Sequence, residues 1–191
     1  SSNLGSIHIF RLSSSTCFRS SLAVICAMAG SFADLSRCFL PVFKWSVAML
    51  LGYGVAVRIV KRWEFEGIKL QRIAGLVGMY PFLIVMVCFA HHGCWEILST
   101  NACRIFGNSS SVDTFIFVYI ASNLVQALGQ LQTESGALVW QLMAHHLLSI
   151  ACFAGGFYFD RFRFWTAFAG LCEITNLFLV PVFAAKDIPE I

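Results

Sequence analysis

Two histidines, His145 and His146, stand side by side in the middle of the apolar stretch WQLMAHHLLSIACF. An imidazole gives and takes protons near neutral pH, and it can serve as general base, nucleophile or metal ligand. In the next apolar run a carboxylate, Glu173, sits near the same depth. A carboxylate beside an imidazole fixes its tautomer and raises its basicity, an arrangement suited to proton transfer or to activating a nucleophile. His145, His146 and Glu173 are therefore the candidate catalytic residues.

The polar residues around them follow helical spacing. Gln141, His145 and Ser149 are four apart. One run earlier, Tyr119, Asn123, Gln126 and Gln130 follow i, i+4, i+7 and i+11. One run later, Thr166, Gly170, Glu173 and Asn176 follow i, i+4, i+7 and i+10. Each set is one face of a helix. A charged side chain at the centre of a bilayer costs on the order of 2.5–3.5 kcal/mol, so the three faces are expected to meet. The interior they enclose would be a cavity lined by Asn123, Gln126, Gln130, Gln141, Ser149, Thr166 and Asn176. The bland alternative is interhelical hydrogen bonding that only holds the helices together. A second cluster, His91, His92 and Glu96, lies beside Trp95 near the end of another run. Glu96 is four residues beyond His92 and can pair with it. This cluster is either an interfacial group or a cap on the same cavity.

The elements that must position these residues are membrane helices. The chain has 191 residues, 58% hydrophobic and 12% charged, and a soluble domain carries about twice that share of charge. Five apolar runs, 39–60, 73–95, 112–131, 136–159 and 162–185, each have the length needed to cross ~30 Å of hydrocarbon as a helix. None alternates as a barrel strand would. The expected fold is an all-α, multi-pass transmembrane helical bundle of about five spans, over residues 38–191. A short apolar segment (22–33) and a Ser-rich stretch precede it, so 1–37 reads as a flexible leader or a targeting segment. The chain does not open with Met and stops soon after an apolar run, which reads as a fragment. Arg58, Lys61, Arg62, Lys69 and Arg72 cluster between the first two runs. The positive-inside rule puts that loop in the cytosol, although Arg161 and Arg163 on the other side count against it.

Other chemistries fit less well. The net charge of +3, with no long basic run, gives no footprint for nucleic acid. The 8 cysteines form no C-x-x-C pair and sit mostly in apolar runs, so no metal site is expected. Cys94 and Cys103 stand close enough in sequence to bridge one loop. Histidines on two membrane helices can bind haem iron from both faces, which makes a bis-histidine haem protein, through His91 or His92 with His145 or His146, an alternative. A di-iron hydroxylase or desaturase needs more histidines than the 5 present.

The stretch HHLLSIACFAGGFYFDRFRFWTAFAGLCEITNLFL resembles the TLC-domain family of multi-pass lipid proteins, over about residues 69–180. The resemblance rests on the embedded His–His pair and on an acidic residue at a set distance in the next helix. His145 to Glu173 matches the ceramide-synthase distance from the pair to the first aspartate of a His-Asp-x-x-Asp segment. Here that segment reads Cys172, Glu173, Ile174, Thr175, Asn176, so the chain looks more like the non-ceramide-synthase TLC proteins than like a sphingoid-base N-acyltransferase. The resemblance implies membrane lipid homeostasis, with membrane lipids as partners. It implies an endoplasmic-reticulum or other internal membrane, and further spans at the C-terminal end. If the protein is an enzyme, the resemblance implies a lipid acyltransferase: His145 or His146 as nucleophile or general base, Glu173 as orienting group, acyl-CoA as co-substrate and no other cofactor. A lipid sensor or carrier, or a purely structural bundle, is the non-catalytic alternative.

Overall fold

The computed structural model of the protein describes residues 32–63, 67–100, 107–133, 136–159 and 162–187. The helices are α1 (Phe32–Lys61), α2 (Gly67–Ser99), α3 (Ser110–Thr133), α4 (Ala137–Tyr158), α5 (Arg163–Gly170) and α6 (Ile174–Asp187). A single 3₁₀ turn, Leu171–Glu173, joins α5 to α6. Among the described residues there is no strand. The chain divides into two packing units, Ser1–Arg37 and Cys38–Ile191. Of the first, only 32–37 are described, and the rest of the expected leader, including the apolar segment before α1, lies outside the described residues.

Four stretches among the described residues are long and apolar enough to cross a membrane: Arg37–Lys61, Lys69–Ser99, Ser110–Leu131 and Arg163–Val182. The expected multi-pass helical bundle is what the described residues form, with one departure from regular spans. α4, which carries the His pair, is 22 residues long and so spans about 33 Å. It carries no Asp, Glu, Lys or Arg, and that length covers the ~30 Å of a bilayer core. The last run is not one regular helix. It tightens into 3₁₀ geometry at Leu171–Glu173 before continuing, and tight turns of this kind often mark functional or strained positions.

α2 and α3 form the centre of the second unit. α1 packs along α2 through Ala56 and Val60 against Ile73 and Ala74, and Trp45 sets its edge on Phe82 at 6.3 Å. The two backbones approach closely at Gly78, where a Cβ would lie 2.9 Å from the Tyr53 Cα. In lipid the hydrophobic effect does not drive helices together, so close backbone approach at small residues supplies the packing energy instead. On its other sides α2 meets α6, where the Tyr80 hydroxyl donates to the Leu177 carbonyl at 3.1 Å. It also meets α5, where the Cys94 thiol lies 4.0 Å from the Phe164 carbonyl oxygen. Cys94 is a free thiol; Cys103, its imagined partner, lies outside the described residues.

α3 is the most buried span, with Val112, Phe115, Ile116, Val118 and Ala121 fully covered. Phe115 fits against Gly170 of α5, where any Cβ would overlap its ring. α4 lies along α3 through aromatic pairs, Tyr119 with Phe153 at 4.1 Å and Phe117 with Phe157 at 5.1 Å. The outward faces of α1 and α6 carry exposed Phe39, Leu40, Phe43, Leu51 and Phe178, as lipid-facing surfaces do.

Candidate functional site

The polar face of α3 meets α4 as its spacing predicts, but through a different histidine. His146 is buried, and its two ring nitrogens face two amides of α3. Nδ1 lies 2.8 Å from Asn123 Oδ1 and Nε2 lies 3.0 Å from Gln130 Oε1. The Asn123 amide nitrogen donates to the Tyr119 carbonyl at 2.9 Å. His145 is exposed, its ring centroid 5.5 Å from that of His146. Gln141 is exposed as well. The expected face of Gln141, His145 and Ser149 is thus rotated: His146 and the half-buried Ser149 turn inward, while His145 and Gln141 turn outward. On α3, Gln126 is also exposed and donates to Ser122 at 2.8 Å on its own helix. It stands about 60° round the helix from Asn123, enough to leave the interface.

Glu173 sits in the 3₁₀ turn, half-buried. The Asn176 amide donates to its Oε2 at 2.5 Å. Tyr119 stands near Glu173, Ser149 and Asn123, and its ring stacks on Phe153 of α4 at 4.1 Å. Glu173 thus has Tyr119 as a neighbour in common with Asn123. Among the described residues it forms no ion pair with either histidine, contrary to the expected direct pairing. Tyr119 is the shared neighbour that the candidate set omitted. Its place in the i, i+4 stripe with Asn123 was the available signal.

Thr166 lies elsewhere. Its hydroxyl donates to the Phe162 carbonyl at 3.1 Å, and it lines a groove of about 500 Å³ between α4 and α5, with Cys152, Gly155, Gly156, Phe159 and Phe162. Phe162 holds a left-handed backbone, φ 60°, which costs a non-glycine residue on the order of 1–3 kcal/mol. Cys152 is seven residues beyond His145, so it shares that histidine's face of α4 about 10.5 Å further along the axis.

The second cluster forms at the far end of α2. His92 Nδ1 lies 2.9 Å from the Ser111 hydroxyl and 3.5 Å from Glu96 Oε1, while Ser109 donates to Glu96 Oε2. His91 is exposed. Ser109 also accepts from the Val112 amide at 3.3 Å, so it caps the start of α3. These contacts tie the α2–α3 hairpin rather than cap the His146 network. Ser111 and Asn123 are twelve residues apart on α3, about 18 Å, too far for one haem iron to be held by a histidine from each cluster. Beside this end, Arg163 is buried in an ion pair with Asp113, its guanidinium 5.3 Å above the Phe157 ring. The sequence reading took Arg163 as a loop charge and did not single out Asp113.

The family model of the TLC domain (TRAM_LAG1_CLN8) matches residues 70–181. The chain belongs to the TLC-domain family. That match runs from the start of α2 into α6, so the His pair, Glu173 and the α3 amides all lie inside the TLC domain, whereas all of α1 lies outside it. No curated protein and no solved structure matches the chain. The TLC-domain protein is an integral membrane protein by its apolar helices and its family together.

Proposed function

We propose that this TLC-domain protein acts in membrane lipid homeostasis, in the endoplasmic reticulum or another internal membrane, and belongs with the non-ceramide-synthase members of its family. A membrane lipid lies along the outer face of α4, its chain in the groove at Cys152, Gly155 and Phe159 and its polar part at His145. His146, Asn123, Gln130, Tyr119 and Glu173 support that position from behind. The observation that carries this reading is an exposed histidine, His145, part-way along an apolar helix and on the same helix face as an open groove. An imidazole exposed at membrane depth needs a polar partner there, and a lipid head or carbonyl is the one a bilayer offers. In the catalytic form of this reading, His145 accepts the proton of a lipid hydroxyl as that oxygen attacks the thioester carbonyl of acyl-CoA. The CoA thiolate then leaves and takes up a proton.

The test is incubation in bilayer discs with labelled acyl-CoA and total lipid extract, followed by mass spectrometry. Label entering a lipid in wild type but not in His145→Ala supports acyl transfer. Lipid retained without label transfer leaves a sensor or carrier. A second reading has its own support: both ring nitrogens of His146 are taken up by α3 amides, as in a bundle that polar contacts only hold together. That reading predicts that substitutions in the pair change stability and leave bound lipid unchanged.

A further inference from the structure

The orientation of Asn123 decides the state of His146. Its amide nitrogen donates to the Tyr119 carbonyl, and turning the amide round would set oxygen against oxygen. Asn123 therefore presents Oδ1 to the ring, and the facing Nδ1 must carry a proton. Nε2 can meet the Gln130 amide in two ways. Protonated, the ring donates to Gln130 Oε1 as drawn and becomes a cation, with no carboxylate paired to it among the described residues. Neutral, it accepts from the Gln130 amide after a rotation that occupies the same space. An unpaired cation inside a membrane bundle costs far more than turning an amide, so the neutral form prevails.

We infer that Asn123 and Gln130 of α3 clamp His146 as a neutral ring with its proton on Nδ1, making it a positioning residue for its neighbour His145. The positioning part rests on the reading of His145 as the lipid contact; the clamp does not. The locked ring stands 5.5 Å from His145, at an interplanar angle of 65°, and limits where that ring can turn.

The test is ¹⁵N spectroscopy of the full chain with labelled histidine, in bilayer discs. One histidine, identified by its loss in His146→Gln, is expected to show a protonated Nδ1 and a bare Nε2. Asn123→Leu removes the acceptor and should shift that signal toward the Nε2–H form. Unchanged His91 and His92 signals report an intact fold in each variant. Should Asn123→Leu disturb them, Gln130→Leu serves instead, moving the His146 Nε2 signal while Nδ1 stays protonated. A wild-type His146 that is Nε2–H or doubly protonated overturns the clamp, as does a signal indifferent to Asn123→Leu in the intact fold. Crosslinking to a photoactivatable phospholipid separates the two claims. If neither histidine variant loses crosslinking while the Nδ1–H signature stands, the lipid reading fails and the clamp survives.

Discussion

Adjacent histidines in one sequence stretch have opposite surroundings, and their substitutions should differ accordingly. His146→Ala strands the facing groups of Asn123 and Gln130. Leaving buried polar groups unsatisfied costs roughly 1–3 kcal/mol, and interhelical hydrogen bonds in membranes sit at the lower end, about 0.6–1.7 kcal/mol. A drop in thermal unfolding temperature in detergent or discs is the expected reading. His145→Ala removes an exposed side chain and should stay within about 0.5 kcal/mol of wild type. The difference between neighbours was not legible in the sequence. Spacing correctly joined Tyr119 to Asn123 and Gln130, but it could not say which side of α4 meets them. In a soluble helix the apolar stripe marks the buried side. In α4 apolar residues surround the polar ones on every side, so periodicity loses that meaning.

At the level of elements, the close approach of α1 to α2 and the ion pair between α3 and α5 can each be probed. Gly78→Leu must displace the Tyr53 backbone, and overpacking of this kind costs about 1–3 kcal/mol. Gly54→Ala meets nothing within 4 Å and should stabilise α1 by up to about 1 kcal/mol through helix propensity. Thermal unfolding of the two variants, moving in opposite directions, checks the packing of α1. Breaking a buried pair by removing one partner costs about 3–5 kcal/mol, so Asp113→Leu and Arg163→Met should each destabilise strongly. The double variant Asp113→Leu with Arg163→Met should recover much of the loss, which a double-mutant cycle measures. Sequence reading found the runs behind these helices and missed two details. The 3₁₀ turn at Glu173 leaves no mark in composition, and Arg163 read as a loop charge because its partner Asp113 is fifty residues away.

For the whole molecule, the basic residues between α1 and α2 define one end and the His92–Glu96–Ser109 cluster the other. Arg58, Lys61, Arg62, Lys69 and Arg72 outnumber Arg104, Arg161 and Arg163 of the loops on the other side, so the count of basic residues favours a cytosolic α1–α2 loop. A cysteine placed at exposed Trp63 should react with an impermeant maleimide only from the cytosolic face, whereas one placed at exposed Asn108 should react only from the opposite face. The central claim is that a lipid is held at the His145 face of α4. It is tested most directly by weighing the protein with its lipids, by native mass spectrometry, for wild type and His145→Gln released from the same membrane. The account predicts one lipid class retained by wild type above its bulk share, and lost about tenfold in the variant, a difference of about 1.4 kcal/mol. Equal retention by both proteins, or no class enriched over bulk membrane, would contradict it.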